Sequence, residues 1–373
     1  MKVFYLAPKP HPLNGISQYA SLLMSAIKKY APHIAFHRLD EQEFMQCYAD
    51  LPKGSVVMAE MSVGEGKVFQ ALWQQKRHRP DLRRVITIHD PPRFAVEMTP
   101  LLERMSATTL MRALRRAFLD TLGWVVERQV TMPHDIFLCL TQLGKQVLEQ
   151  KFRQYFPFVP KVFYVPHLLY LDPPECVPEP ESLVPTLGYF GYINPHKGLH
   201  ILIEAVRRLK AERKSCPQLI IYGEPITLKG CRYYARLRAQ VAKYRLEEIV
   251  QLRGYLPEHQ IAAFLRTVDV LAMPYLDLGF VSASGVLQWA RSVGVPVLAS
   301  QTPALRALIA DGVEGKLIPT YNIAKWAEAI HSVATERKMW WAFRSGVVHR
   351  RTEAEWKTVA MKLSAILQEI QGA

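Results

Sequence analysis

Three short stretches combine glycine, small polar residues and a following helical pattern. That combination lets backbone N–H groups reach an anion at a helix start. In "KPHPLNGIS", Asn14-Gly15 precedes a helix, and glycine admits both a positive φ and the close approach of a ligand. In "GYINPHKGLH", Gly191 stands at a strand end and Lys197-Gly198 opens the next helix. A lysine there adds a full charge to a helix end worth about half a charge. In "DLGFVSASGVLQWARSVGVPVLAS", Ser284, Gly285 and Val286 offer N–H groups at a helix start free of bulky side chains. Two converging helix ends and one lysine make a seat for a diphosphate. Taken singly, each stretch has a plain structural reading: a common turn, a solvated helix start and an ordinary N-cap. Their recurrence at equivalent strand-to-helix junctions is what points to a ligand. Neither G-x-G-x-x-G nor G-x-x-x-x-G-K-[ST] occurs, which argues against a dinucleotide-dependent dehydrogenase and a P-loop enzyme.

The junctions are positioned by alternating strands and helices. "MKVFYLA", "SVVMAE", "RRVITIHD" and "IFLCLT" read as buried strands, and "ISQYASLLMSAIKKYA" carries apolar residues at helical spacing. The plan restarts after a proline-rich stretch, residues 171–185, with "TLGYFGYI", "GLHILIEAVRRLKAE", "QLIIYGE", "IVQLRGYL", "VDVLAMPY" and "GKLIPT". Such alternation predicts parallel sheets with helices on both faces. The expected fold class is α/β, two doubly wound Rossmann-like domains facing a cleft: an N-terminal domain over 1–170, a linker over 171–185 and a C-terminal domain over 186–351. The amphipathic helix 352–371 is expected to pack back on the first domain.

Bulk properties narrow the partners. The 373 residues are too many for one ordinary core. An apolar content of 49% with 21% charged residues is globular. A net charge of +14 and a pI near 9.5 favour an anionic partner, although surplus Lys and Arg also serve solubility. No helix-turn-helix, zinc-finger or RNA-binding signature supports nucleic acid. The five cysteines form no C-x-x-C pair, so zinc is not expected and a reducing compartment is. The apolar start is too short for a secretory signal, and no run of about 18 apolar residues occurs. The expected location is cytoplasmic. Residues 76–130 hold eleven Lys or Arg against six Asp or Glu, interleaved with Leu, Phe and Trp124. The pattern suits an interfacial helix on an anionic membrane surface, and equally an ordinary amphipathic helix packed on a sheet.

The order of elements resembles the family-4 retaining glycosyltransferases of the GT-B fold, most specifically over 187–320. "GYINPHKG" is similar to the family's G-R-x-x-x-x-K-G segment, and "VQLRGYLPEHQIAAFLRTVDVLAMPY", "GVPVLAS" and "LIADGVEGKLIP" resemble the blocks that follow. "NGIS" and "ITIHD" sit where the family has a glycine loop and a histidine at a strand end. Two departures stand out. The family's paired glutamates are missing, Trp289 holding the second position within a Ser-Gly-Val-x-x-x-Ala turn, and Tyr192 replaces the arginine that accompanies the lysine.

The resemblance implies transfer of a sugar from a nucleotide diphosphate sugar to a hydroxyl of a lipid-linked or glycan acceptor, with retained configuration and no metal or other cofactor. His89, Asp90 and Lys197 are then the catalytic candidates, with His89-Asp90 facing the donor sugar or the acceptor. Gly15, Gly191, Lys197, Ser284, Gly285 and Val286 would hold the diphosphate. Without the glutamates, Glu224, Asp277 or Ser282 must meet the sugar and ribose, while Tyr255 and Leu256, after Gly254, lie near the base. Two alternatives remain at this point: a weak or inactive GT-B subunit supporting a partner enzyme, and an epimerase-like GT-B protein.

Overall fold

The computed structural model describes residues 1–11, 14–62, 66–93, 123–175, 184–279 and 281–372. The chain partitions into two compact units. One is formed by Met1–Leu168, Phe280–Ala283 and Trp356–Ala373, the other by Leu169–Gly279 and Ser284–Glu355.

The first unit holds strands β1 (Lys2–Leu6), β2 (Ala35–Leu39), β3 (Val56–Met61), β4 (Arg83–Ile88), β5 (Ile136–Cys139) and β6 (Lys161–Tyr164). They form one parallel sheet in the order β2-β1-β3-β4-β5-β6. Parallel strands need crossovers, and α1 (Gly15–Tyr30), α2 (Glu41–Cys47), α3 (Gly66–His78) and α4 (Gln142–Tyr155) are among those that supply them. Every residue of β3 is buried, as a strand covered on both faces requires. The order reverses between β1 and β3, so a crevice opens beyond the carboxyl ends of those strands.

Helix α1 turns Tyr19, Ala20, Leu23, Ala26 and Ile27 into the core, against Val359, Leu363, Ile366 and Leu367 of the C-terminal helix. That helix begins at Trp356 rather than at 352. Thr352–Ala354 form a 3₁₀ turn, and Glu355, extended at φ −63° and ψ 144°, breaks the run. A further difference from the sequence reading is that Leu169–Glu175, assigned there partly to the linker, belong to the second unit, while Ser282 belongs to the first. Residues 176–183 of the linker lie outside the described residues.

The second unit repeats the plan with β7 (Thr186–Phe190), β8 (Gln218–Tyr222), β9 (Val250–Leu252), β10 (Val270–Met273), β11 (Val297–Ser300) and β12 (Gly315–Ile318), parallel in the order β12-β11-β10-β7-β8-β9. Its crossovers include α5 (Leu199–Ala211), α6 (Leu228–Lys243), α7 (Glu258–Arg266), α8 (Gly285–Val293), α9 (Pro303–Leu308) and α10 (Ile323–Thr335). The reversal here lies between β7 and β10, the strands whose ends lead into "GYINPHKG" and "DLGFVSASG".

Several ion pairs are buried inside the units, among them one in each sheet's surroundings. Arg84 donates through Nε to Asp135 Oδ1 at 2.7 Å and through Nη2 to the Val130 carbonyl at 2.7 Å, and both charged side chains are fully buried. In the second unit Arg291 grips Glu314 with two bonds of 2.9 and 3.0 Å. A buried pair contributes little net stability, but breaking it strands a charge. Arg84→Met should therefore destabilise the first unit by about 3–5 kcal/mol. Arg84→Met with Asp135→Leu should recover most of that loss. Denaturant midpoints check it, and a double variant no better than the single one refutes it.

Candidate functional site

In the second unit, Gly191 follows β7 with φ +138°, a value that side-chain-bearing residues rarely adopt. A methyl group there would come within 3.9 Å of Val286 Cγ2, so the β7 loop and the start of α8 lie together. The next turn places the lysine. Pro195–Lys197 form a 3₁₀ turn that ends on Gly198 in the left-handed region at φ +68°. A Cβ on Gly198 would sit 1.8 Å from the Pro274 carbonyl oxygen, so glycine is required by close backbone approach. The turn is pinned to the β10 end by the Leu276 N–H donating to the His196 carbonyl at 2.8 Å.

Lys197 is half-buried, and its ammonium lies over the Tyr275 ring, 4.0 Å from the centroid. No carboxylate among the described residues lies within ion-pair distance of it. Burial alone pushes its pKa down to about 8. Its neighbour His196 is held neutral, its pKa lowered to about 4 by burial, with Lys197 and Lys229 adding to the effect. The Tyr275 hydroxyl is buried without a hydrogen-bond partner among the described residues.

Ser284 caps α8, its side chain accepting from the Leu287 N–H at 3.3 Å. The N–H groups of Gly285 and Val286 belong to the first turn, where no carbonyl of the helix can reach them. A Cβ on Gly285 would lie 2.8 Å from the Tyr170 hydroxyl. Tyr170 stacks on Trp289, with ring centroids 4.5 Å apart and planes at 13°. Trp289 is 7% exposed. The position where the family carries a glutamate is thus filled by an aromatic stack.

Beyond β8 and β9, Glu224 is exposed and its Oε1 stands 3.8 Å from where a Cβ on Gly254 would lie. The Gly223 N–H donates to the Gly254 carbonyl at 2.6 Å, bringing the two loops together. Tyr255 is exposed and raises the pKa of the neighbouring Tyr192 hydroxyl, after burial as the larger cause. Leu256 is half-buried against the core that α7 and α8 share. Asp277 does not join this group. It is exposed, accepts from the Gly279 N–H at 2.8 Å, and lines a hollow of about 840 Å³ with Thr302, Tyr321 and Asn322.

The first unit carries a different chemistry. His89 and Asp90 follow β4, beside the end of β3. His89 Nε2 faces Glu60 Oε2 at 2.7 Å, and Glu60 is fully buried. Glu60 also accepts from the Tyr5 hydroxyl at 2.6 Å and the Thr87 hydroxyl at 3.1 Å. Sequence reading passed over Glu60, although an acidic residue closing an apolar parallel strand is itself a signal, because a charge placed there needs partners. Asp90 accepts from Ser62 at 2.5 Å and from Ser282 at 2.6 Å. The Ser282 hydroxyl thus donates to Asp90 within the first unit. The φ of Gly15 is not positive and an added Cβ would meet nothing within 4 Å, so the fold itself does not demand glycine there. Asn14 caps α1 by accepting from the Ser17 N–H at 3.0 Å.

Within 76–130, residues 94–122 lie outside the described residues. Of the rest, Lys76 donates to two backbone carbonyls, Arg79 pairs with Asp81, Arg84 with Asp135, and Trp124 packs on Tyr155 at 3.6 Å. These groups are engaged within the unit. Among the described residues no helix is long and apolar enough to cross a membrane.

Residues 180–344 match the family model "Glycosyl transferases group 1". The chain is 32% identical over 127 residues to the amylovoran biosynthesis glycosyltransferase AmsK of Erwinia amylovora, a match covering 33% of this chain and 29% of that protein. It is 26% identical over 193 residues to a D-inositol 3-phosphate glycosyltransferase of Streptomyces bingchenggensis, covering 51% of this chain and 41% of that one. The matches thus span less than half the length of these relatives. The fold of Anabaena HepE, solved in complex with UDP, superposes with a TM-score of 0.72 at 15% identity, over 99% of this chain and all of that one. The two units therefore have the GT-B fold, with two parallel six-stranded sheets.

The lysine yields a pH dependence with a definite sign. Lys197 is charged below about 8, so the attraction it offers an anion is present at neutral pH and is lost as pH rises through that value. Dissociation constants for a nucleoside diphosphate should weaken about tenfold per pH unit above this point. Lys197→Arg, always charged, should flatten the profile. A slope unchanged in the arginine variant would assign the titration elsewhere.

Proposed function

We propose that the protein is a glycosyltransferase that moves a hexosyl group from a nucleotide diphosphate sugar to an acceptor hydroxyl, retaining the anomeric configuration. The observation that carries this reading is the seat beyond β7 and β10: a cation with no carboxylate partner, a left-handed turn and a helix start, gathered at one switch point. The UDP complex of HepE and the glycosyltransferase names of the sequence relatives support a nucleotide-sugar donor.

In the reaction, the bond from the anomeric carbon to the diphosphate oxygen breaks, and its electron pair leaves with the diphosphate. The acceptor oxygen bonds to the anomeric carbon on the same face, and its proton passes to the departing phosphate oxygen. Lys197 and the Gly285 and Val286 N–H groups stabilise the charge growing on the leaving group, at the place where a preorganised donor has most effect. His89 meets a hydroxyl of the donor sugar or the acceptor. Asp90, held by two hydroxyls, fixes the loop that follows it. Glu224, with Tyr255 and Leu256, contacts the base and ribose, and Asp277 lies beside them only if its loop rearranges. Leaving-group charge is assigned to protein groups, so activity needs no metal ion. The acceptor we favour is a lipid-linked or glycan hydroxyl, given the polysaccharide and inositol phosphate terms in the relatives' names.

The stack of Trp289 on Tyr170 favours a second reading, a GT-B subunit with weak or no turnover that supports a partner enzyme. Thermal-shift titration against UDP, GDP, ADP and their sugars separates the two. One nucleotide family should raise the melting temperature, Lys197→Ala should abolish the rise, and Gly15→Ala should reduce it without lowering the unliganded melting point. Turnover should persist in EDTA. No shift with any nucleotide would sink the transferase reading.

We also propose that the protein works at the inner face of the cytoplasmic membrane, docking through basic residues of 76–130. Vesicle flotation should depend on anionic lipid and fall with ionic strength. Flotation indifferent to lipid charge would remove the membrane from the account.

A further inference from the structure

We infer that Glu60 is the positioning residue for His89: it accepts the Nε2 hydrogen and leaves Nδ1 as the nitrogen that meets substrate. The role in turnover rests on the transferase reading above, while the geometry stands by itself.

Glu60 is fully buried near the end of β3, where every other side chain is apolar. A carboxylate in such a place is tolerated only with several donors. It has three, reaching it from the two strands that flank β3: Tyr5 on β1 at 2.6 Å, Thr87 on β4 at 3.1 Å and His89, just past the end of β4, at 2.7 Å. Tyr5 and Thr87 both donate to Oε1, which fixes the plane of the carboxylate and turns Oε2 towards the imidazole. The β3–β4 register sets the reach, since Glu60 pairs with Thr87 and His89 lies two residues on, on the same face of the sheet.

The ring is held from its flank as well. Tyr19 of α1 meets it edge-on at 5.3 Å between centroids, and His167 packs on Tyr19 at 5.0 Å. Burial keeps His167 neutral, lowering its pKa to about 4. His89 has 12% of its side chain exposed, and the imidazole's one hydrogen bond among the described residues is through Nε2. An imidazole fixed in this way presents a single nitrogen in one orientation, the condition for accepting or donating one proton at a defined place. A hydrogen-bonded orienter that sets tautomer and ring direction is what such a histidine needs.

Two readouts test the assignment in the full-length chain. Histidine-¹⁵N long-range spectra, with His89 assigned by the signal lost in His89→Gln, should show the proton on Nε2. Glu60→Gln should shift that signal, and Glu60→Asp, which keeps the charge but withdraws it, should do the same. A proton on Nδ1 alone, or a spectrum unchanged by both variants, overturns the proposal. In steady-state transfer assays, Glu60→Gln should lower kcat about tenfold or more with little change in donor KM. In a His89→Ala background the same substitution should change nothing further. Equal losses in both backgrounds would make Glu60 a merely structural residue and overturn the role. If the wild type neither binds nucleotides nor transfers sugar, the transferase reading fails, and the spectra alone decide the Glu60–His89 arrangement.

Discussion

A half-buried lysine with no carboxylate partner among the described residues is the constraint on which the second unit's candidate site depends. Lys197 pays for its place in desolvation, and the protein offers only the face of the Tyr275 ring in return. A cation over an aromatic face recovers about 0.5–2 kcal/mol, well short of what a carboxylate would give. Everything nearby serves to keep the charge there. Gly198 accepts a left-handed turn pressed on the Pro274 carbonyl, the 3₁₀ turn fixes the chain, and His196 stays neutral. An anion that arrives meets a group whose desolvation is already accomplished, so binding gains the full interaction instead of repaying it.

Much of this was legible in the sequence, because strands, helices and junctions follow from periodicity and from glycine placement. The strand runs "MKVFYLA" and "QLIIYGE" and the helix "GLHILIEAVRRLKAE" appear where the apolar pattern puts them. The reading of Gly191 and Lys197-Gly198 as one loop at a strand end also describes the structure. The missed residues share a physical cause. Glu60 and Tyr275 act through neighbours brought up by sheet register, and register between parallel strands is invisible to local pattern. One residue separates Ser282 from Ser284, yet the chain passes from the first unit to the second between them, which local pattern does not reveal. Gly15 at a helix start does not adopt a positive φ.

Composition was a weaker guide. Surplus positive charge suggested an anionic partner, yet several of the basic residues in 76–130 turn out to bind carbonyls and carboxylates of their own unit. Buried Arg84 is the extreme case, since Asp135 cancels it and the pair presents no charge to solvent.

The two units handle buried charge in opposite ways, and the difference explains their division of labour. Glu60 is satisfied three times over from within its own sheet, so its negative charge is not available to a ligand and serves to hold a ring still. Lys197 is left unsatisfied by carboxylates, so its charge is available and its ring contact serves to hold it in place. A saturated charge gives orientation, because several short bonds leave one geometry. An unsaturated one gives affinity, because its partner is still to come. In the function proposed above, the same fold, used twice in one chain, supplies an aimed histidine from one sheet and an anion seat from the other, with the distinction resting on how many donors or acceptors each strand end brings to its ion.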